Sequence, residues 1–481
     1  MLNLNKQLKI SQYSNIYDIV ISKDHLLRRI KENIDFSFIN PLMKEQYCEE
    51  FGRPAYEPEI MFKSLFLQTL HHLSDREYIS RAETDMSYKY FLELDPEDEV
   101  PNYSLLSKFR NTRISEDMLE EFLSETIRQA IDKGIIKSNS IILDSTHSRS
   151  MHSPQTPTQI LRDMSKELRK EIYRTQYGLS KNFPEKPVIE DTVEDEIEYT
   201  KKLVAVTENK LKSPKAIKQL ERIKEMLAKP NLIEIQNKND EEARIGHKAE
   251  NKDFFGYKNH IAITENEQLI TALEVTNGNE SDTKSFETLV TKSIDNGIEV
   301  KEVLGDTAYS TATNLESAKS KDIKVISNLH PNVGRIEYSD KYVSFNKDAG
   351  TYECINGNCA KVRKTKKDKQ GGYNILYSFY KTICLHCPHY RKCVTSTRRK
   401  YRQINKTVCI PIYKEQKEFQ ETEYFKTRYK RRGIIEGKNA HLKSSFGLGR
   451  TRGTGLKSMK VQSFLTACTS NIVKITRLST I

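Results

Sequence analysis

Three carboxylates in this chain have the chemical type and setting for work on phosphate esters. Asp144 closes the short apolar run Ser140–Leu143, and Asp306 follows the run Lys301–Leu304 after a single glycine. In open α/β sheets, ligands gather at the carboxyl ends of the strands. Glu436 is the one acid among eleven Lys or Arg between Lys426 and Lys460, a segment that nets 11 − 1 = +10. Alone, an aspartate after a strand is more often a turn former or helix cap. As a set, two aspartates and a glutamate could hold Mg²⁺ or Mn²⁺, hard cations that prefer carboxylate oxygen. Two such ions about 3.5–4 Å apart activate an attacking oxygen and stabilise a leaving one. Three converging carboxylates without a cation would repel one another.

The neighbours of Glu436 strengthen this reading. Tyr429, Arg432, Glu436 and Lys443 stand at offsets 0, 3, 7 and 14. On one continuous helix at about 100° per residue they share an arc of roughly 60°. Arg432 would grip phosphate as a bidentate fork and Lys443 as a point charge. Gly433 and Gly437 each weaken a helix by about 1 kcal/mol, so they are expected to admit another backbone closely. Arg431 and Lys438 in the same basic block are further candidates for DNA contact, as are Lys108 and Arg110 in Ser104–Arg113, a short basic helix of the helix-turn-helix kind. The bland alternative for all of these is a solvated, salt-bridging face.

A second cluster is separate. Five of the eight cysteines (Cys354, Cys359, Cys384, Cys387 and Cys393) fall within forty residues. In a reducing compartment, where disulfides are rare, such clustering points to a structural Zn²⁺ on four thiolates, with the Cys384–Cys387 CxxC as its core. His386 and His389 could substitute; the alternatives are reduced half-buried thiols or an iron–sulfur centre.

These groups need a scaffold. The chain has 481 residues, which suggests roughly three or four domains. Up to about Gly134 the pattern is helical: Pro58 suits a first helical turn, Ser115 caps a helix whose apolar stripe runs from Leu119 to Ile131, and Gly134 ends it. Phe254–Thr264 and Leu269–Thr276 read as strands, Asp282–Asp295 and Thr311–Lys319 as helices, and Ile323–Ser327 as a further strand. With Ser140–Leu143 and Lys301–Leu304, this is a mixed-sheet α/β pattern. Met151 to about Asp240 reads as an inserted helical hairpin, Thr158–Tyr177 and Asp191–Ala228. The boundaries follow as 1–135, helical and DNA-binding; 136–335, core with the insertion at 147–250; 336–412, a Cys-rich β insertion; and 413–481, closing helices with Glu436. The +12 net charge suits a polyanionic partner. Residues 1–14 show no apolar leader and no run approaches a membrane span, so a cytoplasmic setting without membrane is expected.

Taken together, these residues resemble bacterial insertion-sequence transposases with a ribonuclease H-like DDE core, in the branch with a Tyr-(2)-Arg-(3)-Glu-(6)-Lys signature. Tyr429, Arg432, Glu436 and Lys443 match it; Asp144 in IILDST and Asp306 in VLGDTAY match the two aspartates, and Phe255–His260 matches the second core strand. The resemblance implies a multi-domain α/β enzyme that binds terminal inverted repeats as a homodimer or larger oligomer, cuts the ends with Mg²⁺ or Mn²⁺, and joins the freed 3′-hydroxyls to target DNA. It implies that Tyr429, Arg432 and Lys443 hold the cleaved end. It also selects Cys354, Cys384, Cys387 and Cys393 as the zinc set. A catalytically silent DNA-binding descendant is the competing reading.

Overall fold

The structure, a computed structural model, describes residues 11–13, 15–48, 55–187, 192–249, 252–330, 340–346, 348–367, 373–395, 399–408 and 411–479. Most of 1–14, on which the leader expectation rests, lies outside the described residues, as does Asp191.

One mixed sheet carries the architecture. Its strands are β1 (Ser140–Arg149), β2 (Arg244–Ala249), β3 (Lys252–Thr264), β4 (Ile270–Asn277), β5 (Glu302–Leu304) and β6 (Lys324–Ile326). β3 pairs antiparallel with β1 on one edge and shares its other edge between β2 and β4; β1, β5 and β6 then run parallel. β3 is buried along nearly its whole length, with Ile261, Ala262 and Ile263 at most 1% exposed. Helices must therefore cover it, and Ser285–Asp295 and Gly455–Leu478 both pack on β3 and β4. In the latter helix, Asn471 accepts from the Ile270 amide and donates to the Ile270 carbonyl, both at 2.8 Å, closing a two-bond clamp on β4.

β2 falls within 147–250, the span expected to be a helical insertion. The strand forms because β3 extends beyond its pairing with β4 and needs a partner along Lys252–Gly256. The insertion itself has three helices where a two-helix hairpin was expected: Pro157–Thr175, Val193–Thr207 and Pro214–Leu227. Ser213 and Pro214 start a new helix inside the second expected one. The sparse apolar positions meet one another, since Leu161, Leu168, Leu203, Leu220 and Ile223 form a core of their own. Buried Asp240 ties the base of the unit to the sheet, accepting from Ser150 Oγ (2.5 Å), the Gly455 amide (3.0 Å) and Tyr257 Oη.

The N-terminal helices share the main core with the sheet. Phe62, Phe66, Leu119, Leu123 and Ile127 belong to the same cluster as Ile141, Ile261 and Leu465. Ser115 caps the helix Glu116–Asp132 and Gly134 follows with φ +63°. The Cys-rich stretch forms a small separate unit, a hairpin plus a three-stranded sheet around Tyr352, Tyr377 and Phe379.

Two anchors hold the segment that carries Glu436. At its start, Arg428 pairs with Glu265 (2.6 Å) and Glu302 (2.8 Å), and Arg431 reaches Glu265 at 2.8 Å. At its end, the loop after the helix Ile434–Ser445 joins β1: the Arg149 amide donates to the Gly449 carbonyl (3.0 Å), and the Thr451 amide to the Arg149 carbonyl (2.9 Å). Burial pushes the Glu265 carboxyl up, but hydrogen bonds from Arg428, Ser140 and Arg431 outweigh it and draw it down to about 2. A depressed carboxyl contributes stability that is full above its ordinary value of 4.5 and is lost as pH falls from there to about 2. Glu265→Gln should therefore cost about 2–4 kcal/mol at pH 7 and much less at pH 2.5, read from urea midpoints at both pH values; an equal cost at both would show that the ion cluster is not the anchor.

Candidate active site

The parallel pairing of β1 with β5 sets Ile142 opposite Leu304. Asp144 and Asp306 each lie two residues further along, so the register delivers both aspartates to the same level. Asp144 does not end its strand, as the apolar run suggested. β1 continues to Arg149 because β3 keeps pairing with it after β5 has stopped. Asp306 does leave the sheet, and its Oδ1 caps the following turn by accepting from the Ala308 amide at 2.9 Å.

Burial and like charge shape this pair. Burial pushes Asp144 up to about 6; neighbouring Asp306 and Asp282 add to the rise, while the Ser145 amide and Arg432 oppose it. Asp306 is raised as well, first by burial, then by Asp282. Three buried polar atoms on nearby residues lack any hydrogen-bond partner: Asn439 Oδ1, His260 Nδ1 and Tyr309 Oη. Native proteins leave few such atoms without a partner, and an ion or water commonly explains them. Two acid groups among orphaned polar atoms fit a hydrated divalent cation.

Glu436 is beside this pair but does not join it. The segment is not one helix: Glu423–Tyr429 passes into a 3₁₀ turn, Lys430–Gly433, before Ile434–Ser445. Glu436 accepts from Arg432 Nη2 at 3.0 Å, with 61% of its side chain exposed. One turn further on, Asn439 faces β1 and donates from Nδ2 to Asp144 Oδ2 at 2.9 Å. Among the described residues no group of three or more His, Cys, Asp or Glu side chains is arranged to hold a metal. Glu436 gains more from Arg432 than it would beside two half-buried carboxylates, whose like charge repels it.

The structure sorts the other expected contacts. Tyr429 stacks on Phe425, with ring centroids 5.7 Å apart and planes 10° apart, and Arg432 lies 5.9 Å from the Tyr429 ring centroid. Lys443 is half-buried on the helix Ile434–Ser445. Lys438, expected to meet DNA, is buried instead: its Nζ donates to Ser470 Oγ at 2.8 Å, and burial together with Lys474 draws it down to about 7. Arg431 is turned toward Glu265. Arg110 is engaged by Asp75 at 2.9 and 3.1 Å and by Gln68 at 3.2 Å, whereas Lys108 is exposed. Gly433 and Gly437 admit no neighbouring backbone here; a Cβ on either would meet open space.

Several residues around the site had no sequence signal. Asp282 accepts from Ser145 Oγ at 2.8 Å and Lys258 Nζ at 2.9 Å, and His260 Nδ1 is 3.7 Å away. Side chains alternate along β1, so Asp144 faces the helix of Glu436 while Ser145 faces the Asp282 turn. The β-pairing of His260 with Ser145 was invisible in one dimension. So was Asn439, whose spacing of three from Glu436 is a signal only once the helix's packing is known.

In the Cys-rich unit, burial raises the Cys393 thiol, and Cys384 and Cys387 lie near enough to add to the rise. Asn356 Nδ2 donates to Cys387 Sγ at 3.2 Å and Asn358 Nδ2 to Cys354 Sγ at 3.7 Å. The turn after Cys354 thus bridges to the CxxC.

A mixed sheet of this order, with paired aspartates where its parallel strands meet, is that of a ribonuclease H-like nucleotidyl-transfer core. Residues 232–472 match the model of the Transposase DDE domain, and residues 14–112 match that of a Transposase domain (DUF772). The chain belongs to the DDE transposase family and is a DNA transposase. No curated protein matches it. β1 and Asp144 lie between the two matched stretches. No helix among the described residues is long and apolar enough to cross a membrane.

The raised Asp144 has a consequence for the chain in chelator. A carboxyl whose folded value exceeds its unfolded one lowers stability as pH rises between them, here from about 4 to about 6. Asp144→Asn should remove that slope and raise stability at pH 7 by at most about 3 kcal/mol. Thermal melts at pH 4.5 and 7 check this; a variant that melts lower than the native chain at pH 7 would contradict it.

Proposed function

We propose that this transposase binds the terminal inverted repeats of its element, hydrolyses a phosphodiester at each end and joins the freed 3′-hydroxyls to target DNA. The observation that carries the reading is the in-register pair Asp144 and Asp306, with Glu436 on a helix anchored against their strand inside a strongly basic segment. Asp144, Asp306 and Glu436 would hold Mg²⁺ or Mn²⁺. Bound there, the cations would lower the cost of charge on the attacking and leaving oxygens.

The chain's own groups do the rest. Arg432, now paired with Glu436, exchanges that carboxylate for a DNA phosphate, which frees Glu436 to turn toward the aspartates. Tyr429 and Lys443 hold the flanking strand. In the first step water adds to phosphorus and the 3′-oxygen leaves as a hydroxyl. In the second, that hydroxyl attacks a target phosphodiester, forming one ester bond and releasing the target's own 3′-hydroxyl. Partial burial of the aspartates strengthens each electrostatic contact. Two ends must be paired, so a homodimer or larger assembly on DNA is the working form. In the Cys-rich unit, Cys354, Cys384, Cys387 and Cys393 are the proposed structural Zn²⁺ set, supported by the nearness of the last three and the asparagine bridge to the first.

The test is Mg²⁺-dependent nicking of a labelled duplex bearing the element's end. Native chain should cut; Asp144→Asn and Glu436→Gln should bind the duplex within about threefold of native yet cut at least 10³-fold more slowly, as expected when groups acting only on the transition state are lost. Equal cutting by Glu436→Gln would remove Glu436 from the site. Binding without cutting by the native chain would favour a silent DNA-binding descendant.

A further inference from the structure

Asn439 sits where the helix of Glu436 meets β1. It is 7% exposed, its Nδ2 donates to Asp144 Oδ2 at 2.9 Å, and its Oδ1 is buried with no partner. A buried acceptor left without a donor is destabilising. Asparagine is also a poor helix former, so an apolar residue of the same size would serve packing better. The half of the amide that is satisfied holds the Asp144 carboxylate, and the half that is not is an oxygen on that same amide, left without a donor. Neutral amide oxygens are ordinary ligands of hard divalent cations, directly or through bound water.

Resting on the reading above, we propose that Asn439 is a residue of the cation site: its Nδ2 holds Asp144 in place, and its Oδ1 meets the hydrated divalent cation held by Asp144 and Asp306. The helix then contributes two groups one turn apart. Asn439 is already in position in the chain without DNA, and Glu436 arrives when Arg432 lets it go. An amide suits the first position because a third buried carboxylate would add repulsion before any cation arrives.

The experiment uses the full chain without DNA and Mn²⁺ alone as the probe, with free Mn²⁺ read by electron paramagnetic resonance and melting temperature read in chelator. Asn439→Leu keeps the volume and removes both contacts. It should weaken Mn²⁺ binding about tenfold or more, the usual effect of losing a supporting group at a metal site, while still melting cooperatively in chelator. Asn439→Asp should bind Mn²⁺ at least as tightly as native but melt lower in chelator. Asp144→Asn should lose the ion. If Asp144→Asn loses Mn²⁺ while Asn439→Leu binds within twofold of native, the inference falls and the aspartate reading stands. If Asp144→Asn binds as native does, the aspartate reading falls and takes the inference with it. Should Asn439→Leu fail to fold, Asn439→Asp decides: weaker Mn²⁺ binding than native overturns the role of Oδ1.

Discussion

Two like charges, half-buried at the junction of β1 and β5, set the terms for the rest of this molecule. Parallel register brings Asp144 and Asp306 level, and burial then penalises both. The penalty is met in three ways. Asp144 takes a proton more readily than usual, amide donors of Ser145 and Asn439 bond its carboxylate, and Glu436 stays away on Arg432. Glu436 is the third acid of the proposed cation site.

Positioning that third acid is the work of the scaffold. The helix Ile434–Ser445 is placed by features far from it in sequence. Arg428 and Arg431 clip its approach to Glu265 and Glu302 at one edge of the sheet, and the Gly449–Thr451 loop extends β1 at the other. Between these anchors the helix is set against β1 through Asn439. Between the anchors the Glu436 side chain stays exposed and paired with Arg432.

The basic block has two distinct roles. Some of its cations are structural: Arg428 and Arg431 neutralise buried acids, and Lys438 is buried against Ser470. Arg432 instead sits on the side of the paired aspartates. Net charge and local density made all of them look alike, because formal charge says nothing about which way a long side chain turns.

Most strands of the main sheet, the capped helix Glu116–Asp132 and the mixed α/β class were legible in the sequence because they rest on local rules: alternation, capping and apolar runs. Chemical type and spacing along one helix likewise singled out Glu436 and Arg432. What the sequence could not hold was anything set by pairing across the sheet or by packing at a distance. β2 exists because β3 has an unfilled edge. The insertion's sparse apolar residues make a core only once three helices enclose them. The 3₁₀ turn at Lys430–Gly433 interrupts the single helix that the spacing assumed, yet Tyr429, Arg432 and Glu436 stay neighbours. The sequence by itself singled out the acids proposed to act; the tertiary structure decided that two of them are level and half-buried, that Glu436 rests on Arg432, and that Asn439 touches Asp144, because burial and like-charge repulsion act only between groups that folding has brought together.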